Sequence, residues 1–151
     1  MVQVSIPVEK HVLKFLTRKY GQVHKASKTT LIGKMVLQAL DNSQSAPDKV
    51  IPGTYKYELA IPEFYFNTKG STLKPRTRQL LGDCFNILFD DEMCSHLDRQ
   101  VMAGRKALTE LKAFLEIYHI TEDDVKVETL YKVYQRHTTA LRNRNLNKNA
   151  A

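Results

Sequence analysis

Seven cations, in two groups, are the side chains best placed to do chemistry in this chain. Lys74, Arg76 and Arg78 fall within residues 69–78, a stretch with no acid. Lys132, Arg136, Arg142 and Arg144 follow Glu128, the last acid of the chain, and Lys148 extends the run. Ammonium and guanidinium groups neutralise phosphate and release its counterions, so such clusters point to nucleic acid. The whole chain agrees in sign, with a formal net charge of +7 and a pI near 9.4. That balance favours polyanionic partners. It is also segregated. Cations dominate residues 10–34, 69–78 and everything after 129, whereas acids gather between Asp83 and Asp98 and at 122–128. On a helix, Lys132 and Arg136 share a face, and Arg144 lies about 80° from Arg136. Arg142 and Arg144 are about 200° apart. The expected contacting stripe is therefore Lys132, Arg136 and Arg144, with Arg142 secondary.

Other chemistries are weaker. Cys84 and Cys94 stand ten apart, which is neither a disulfide framework nor a zinc spacing. Both are expected as free thiols, with Cys84 buried on an apolar stripe. Adding His96 and Asp91 produces no recognised metal-ligand pattern. Tyr118, Tyr131 and Tyr134 have the chemistry of a strand-cleaving nucleophile, but at helical spacing beside Leu130 they read as core. A Ser–His–Asp arrangement, a phosphate-cradling glycine loop and an HExxH pair are all missing from the sequence, which has six glycines in all. No enzyme activity, cofactor or metal is expected.

The elements that must position these groups follow from periodicity. VQVSI (2–6) alternates strictly and predicts a half-buried strand ended by Pro7. A helix over 8–20 turns Val8, Val12, Phe15, Leu16 and Tyr20 inward and stops at Gly21. Ser27 is the expected N-cap of a second helix, roughly 28–41, burying Leu31, Ile32, Met35, Val36, Ala39 and Leu40. Residues 54–61 alternate as a second strand, closed by Pro62, and 63–67 read as strand or short helix. From 73 to 118 the pattern is helical. Its first stripe holds Leu80, Leu81, Cys84, Phe85, Leu88 and Phe89; its second holds Met93, Leu97, Val101 and Met102. An acidic turn at Asp90-Asp91-Glu92 is expected between them, and a bend at Gly104. Thr121-Glu122-Asp123-Asp124 breaks the chain before a last helix with Val127, Leu130, Tyr131, Tyr134 and Leu141 inward. Thr121 is the expected cap. The tail from 143 reads as polar and frayed.

The fold class is thus α+β, mostly α: a small two- or three-stranded sheet with a C-terminal helical bundle. At 151 residues and 42% hydrophobic content the chain reads as one domain over 1–151. A sub-boundary is expected in the loop 41–53, between a strand–helix–helix (1–40) and a sheet plus helical bundle (54–151). No apolar run reaches spanning length and no secretory h-region opens the chain, so a cytoplasmic protein of a bacterial or phage-infected cell is expected.

Two segments resemble known DNA readers. Helix, short turn and cation-ended helix over 107–144 resemble helix–turn–helix regulators, with a longer turn. The phrase ITEDDVKVETLYKVYQRH also looks like proteins of phages and mobile elements. VQVSIPVEKHVLKFLTRKYG followed by SKTTLIGKMVLQAL resembles a ribbon–helix–helix unit, which would make Gln3 and Ser5 base readers; a strand in a sheet with 54–61 is the favoured alternative. These resemblances imply a DNA-binding accessory or regulatory protein, with double-stranded DNA as partner and Lys74, Arg76, Arg78, Lys132, Arg136, Arg142 and Arg144 as contacts. The alternative is a structural protein that self-assembles, or binds a protein partner, through its aromatic strand and helical stripes.

Overall fold

The computed structural model describes residues 1–40, 55–69 and 73–149. These residues form an α+β fold, mostly helical, with one small mixed sheet. The order is β1 (Val2–Pro7), α1 (Lys10–Tyr20), β2 (Val23–Lys25), α2 (Leu31–Ala39), β3 (Lys56–Ile61), α3 (Glu63–Lys69), α4 (Pro75–Met102), α5 (Ala107–Ile117) and α6 (Val127–Asn149). The chain separates into two compact units, Met1–Ile87 and Leu88–Ala151, with the division inside α4. The boundary expected at 41–53 lies outside the described residues.

In the first unit the strands stand in the order β1-β3-β2, β1 antiparallel and β2 parallel to β3. The two alternating segments pair as their hydropathy requires. Val4 faces Leu59 and Ile6 faces Tyr57, and all four are buried. Because β1 pairs within its own chain, the sheet alternative holds for it. Ser5 also donates its hydroxyl to the Glu58 carboxylate across the ladder, which occupies one of the two candidate base readers. The three-residue strand β2 was not expected, being too short to show a period. Tyr57 passes its hydroxyl to the carbonyl of Gly21 (2.9 Å). Burial, then neighbouring Tyr20, pushes this phenol up to about 12. Gly82 of α4 lies against the Pro7 carbonyl so closely that a Cβ there would sit 2.1 Å from the oxygen.

The N-cap of α2 is Thr30, not Ser27: the Thr30 hydroxyl accepts from the Gly33 amide (3.1 Å). Ser27 instead accepts from the Thr29 amide (3.2 Å) and builds the turn before the helix. Leu31 is exposed and Met35 and Ala39 are half-buried, where all three were expected to be buried.

α4 runs straight through Asp90-Asp91-Glu92, where a turn was expected. The reason is an apolar line spaced by four (Leu81, Phe85, Phe89, Met93, Leu97), buried throughout, which keeps helical phase while the acids lie beside it. Val101 continues the spacing of four at the end of the helix but is exposed, and Leu80 and Met102, which fall outside that line, are exposed too. The bend comes at Gly104, in the left-handed region at φ +86°.

In the second unit α5 buries Leu111, Phe114 and Leu115 but leaves Leu108 and Ile117 exposed. The turn after it works in the opposite sense to the expectation. Asp124 is the acceptor, taking the Thr121 amide (2.9 Å) and hydroxyl (3.3 Å), and Glu122 accepts from the Val127 amide (3.3 Å) at the start of α6. α6 buries Leu130 and Tyr134 and continues as helix to Asn149, through the segment expected to fray.

Candidate nucleic-acid interface

The cations of α6 are positioned by what the opposite side of that helix holds. Leu130 and Tyr134 are buried. Asp98 of α4 grips the same side with both carboxylate oxygens. Tyr134 donates its hydroxyl to Oδ1 (3.1 Å), and His137 Nε2 lies 2.7 Å from Oδ2. The Tyr134 and His137 rings stack at 6.1 Å. Burial, and then the hydrogen bond to Asp98, pushes the Tyr134 phenol up to about 12. Asp98, Tyr134 and His137 therefore fix the rotation of α6 about its own axis. Sequence reasoning had Tyr134 as core but missed Asp98 and His137. The available signal was a Tyr and a His three apart on a helix otherwise rich in cations.

The other side of α6 is an open trough lined by Lys132, Gln135, Arg136, Thr139, Ala140 and Asn143. These positions recur at helical spacing, and Leu130 and Tyr134 bracket the side about 180° away. Lys132 and Arg136 thus share a face, as expected. Lys132 is partly spent, its Nζ lying 2.9 Å from Glu128 Oε1 in an exposed pair one turn back. The hydroxyls of Thr138 and Thr139 donate back to the Gln135 carbonyl (2.8 and 3.0 Å).

Arg142 and Arg144 precede and follow Asn143, so each stands about 100° from it, on opposite sides. Both are exposed, as are all residues from Thr139 to Asn149. The expected ranking of Arg144 over Arg142 therefore has no basis in the trough. The two flank it equally.

Lys74, Arg76 and Arg78 belong to the first unit and are not equivalent to one another. Arg76 is exposed, whereas Lys74 and Arg78 are half-buried and the Nε of Arg78 is fully enclosed. Cys94, not Cys84, is the buried thiol. Burial, then Asp90, Asp98 and Asp91, pushes it up to about 12, so it stays protonated and unreactive. Tyr134 is likewise protonated at neutral pH, and Tyr118 and Tyr131 are half-buried. Among the described residues no three His, Cys, Asp or Glu side chains are grouped to hold a metal, and no helix is long and apolar enough to cross a membrane.

No protein-family model matches the chain, and neither a characterised protein nor a solved structure is similar to it.

Proposed function

We propose that this protein binds double-stranded DNA through α6, as an accessory or regulatory protein of phage or mobile-element type acting in the cytoplasm. The observation that carries this reading is the pair Arg142 and Arg144 on opposite flanks of one exposed helix. A flat anionic surface engages one flank at a time. A major groove about 12 Å wide has a phosphate wall on each side and admits a helix of about that diameter. Arg142 and Arg144 then reach opposite walls, with Lys132 and Arg136 in the trough between them. The deep, narrow major groove of duplex RNA does not admit a helix, which favours DNA.

Fluorescence anisotropy with random duplex across a salt series tests the proposal. Affinity should fall steeply with salt, and Arg136→Ala with Arg144→Ala should weaken binding and lower the slope by about one unit per lost phosphate contact. Undetectable binding at low salt removes the reading. If that double variant binds normally while Lys74, Arg76 and Arg78 variants do not, the surface lies on the first unit instead.

A second reading, self-association, has its own support, though not from the aromatic strand. β3 is the central strand, and its Tyr57, Leu59 and Ile61 are already buried. The support comes from two exposed apolar positions of α4 within the first unit, Leu80 and Ile87, seven apart and so on one face of the helix. An antiparallel second copy would set Leu80 against Ile87. Sedimentation over a concentration series, with Leu80→Asp and Ile87→Asp, separates the readings. Association lost in each variant would support it; a monomer at every concentration would remove it.

A further inference from the structure

We infer that α6 also reads base edges, and that the bases it selects are adenine, through the side-chain amides of Gln135 and Asn143; this rests on the DNA reading above. Both residues line the trough, with Thr139 midway between them, so the three occupy positions i, i+4 and i+8 of one face. All three are exposed, and the trough is the part of the helix that faces the groove floor when the flanking arginines reach its walls.

Hydrogen-bonding capacity selects the base. A side-chain amide offers one acceptor and two donors, and the major-groove edge of adenine offers the N6 amino donor beside the N7 acceptor. The match is bidentate. Guanine presents O6 and N7, two acceptors, and leaves the amide oxygen facing another oxygen. The Thr139 hydroxyl is already turned back to the Gln135 carbonyl (3.0 Å), so this residue presents its methyl group, which suits the methyl of thymine. Gln135 and Asn143 are about 12 Å apart along the axis, which spans three to four base pairs at about 3.4 Å each. The expected target therefore has two A·T pairs separated by that interval.

Helix stability does not account for these residues. On an exposed helical face Ala, Lys, Glu and Arg are better helix formers than Asn or Thr, yet the trough carries Thr139 and Asn143. The bland account of a polar face, solvation alone, is equally served by lysine or glutamate.

The test is selection of bound duplexes from a random library by the full-length protein, followed by anisotropy on the winners. Enrichment of A·T pairs three to four steps apart is expected. Replacing the selected adenines by 7-deaza-adenine, which removes N7, should weaken binding by at least about 5-fold, the lower end for one bidentate pair. Asn143→Ala should abolish the adenine preference at one of the two positions and leave it at the other. Duplex binding with a normal salt slope but no base preference, or with guanine enriched, overturns this inference and leaves the DNA reading standing. Failure to bind any duplex at low salt overturns both.

Discussion

Asp98 satisfies two groups on α6 with one carboxylate, the Tyr134 hydroxyl and His137 Nε2. Its replacement by alanine leaves the Tyr134 hydroxyl, on a residue only 5% exposed, without its acceptor. An unsatisfied buried hydroxyl costs about 1–3 kcal/mol, so Asp98→Ala should lower the urea midpoint by that equivalent. Tyr134→Phe in the same background should recover part of the loss; a full double-mutant cycle would measure the coupling. The shifted groups of this unit also set its behaviour in base. Tyr134 and Cys94 are both raised, to about 12, above their ordinary values of 10.0 and 9.0. A raised folded-state pKa means that the folded protein holds its proton longer than the unfolded chain. The stability it contributes is complete below the ordinary value and is lost as pH rises through the folded one. Stability should therefore be flat near neutrality and decline from about pH 9 toward 12, with Tyr134→Phe flattening the upper part of the decline. Equilibrium unfolding at stepped pH would show this, and stability that rose with pH over that range would contradict it. Little of this was legible in the sequence. The cations were, because charge is read directly; Asp98 was not, because a lone acid becomes informative only when folding brings a Tyr and a His from 36 and 39 positions away.

Elements were legible where one periodicity ran without competition. β1 and β3 alternate cleanly and pair in the register that alternation demands, and α1 buries Val12, Phe15 and Leu16 as its spacing predicts. Errors arose where local polar signals competed with longer-range ones. Three consecutive acids looked like a turn in α4, but the apolar residues at spacing four on both sides outweighed them. At two helix starts several capping side chains stand within four residues; the sequence pointed to Ser27 and Thr121, whereas Thr30 caps α2 and Asp124 and Glu122 are the acceptors before α6. α6 raises a different point. From Thr139 to Asn149 it is exposed on every side, and this stretch is shorter than the about 12–15 residues that isolated helices need to be even marginally stable in water. Its helicity therefore depends on the anchored turns before it. Hydrogen exchange should show the amides of Leu130 to His137 protected in the free protein, and those of residues 141–149 exchanging fast. Addition of duplex should slow the second group selectively. Unchanged exchange there at saturating duplex would place the contact elsewhere.

At the scale of the whole molecule the useful quantity is the arrangement of charge, since a net charge of +7 is compatible with several polyanions. The acid-free run after Glu128 falls on a single helix whose rotation is fixed by Asp98, so its cations act at defined angles rather than as a diffuse cloud. This distinguishes a groove from a plane. On a plane, such as a stacked polyanion surface, a helix presenting its trough holds Arg142 and Arg144 both at the margin, about 100° from the contact line, where salt screens exposed pairs within about 8–10 Å. Tilting the helix toward one arginine withdraws the other. In a groove each meets its own wall, and the two contacts are independent. Arg142→Ala and Arg144→Ala should therefore lower the salt slope of duplex binding equally, by about one unit each, and their effects should add in the double variant. Anisotropy titrations of the four proteins at several salt concentrations would measure this directly. Equal and additive losses fit the groove. A loss from one substitution only, with the second costing nothing further, would mean that α6 lies against its partner on one flank.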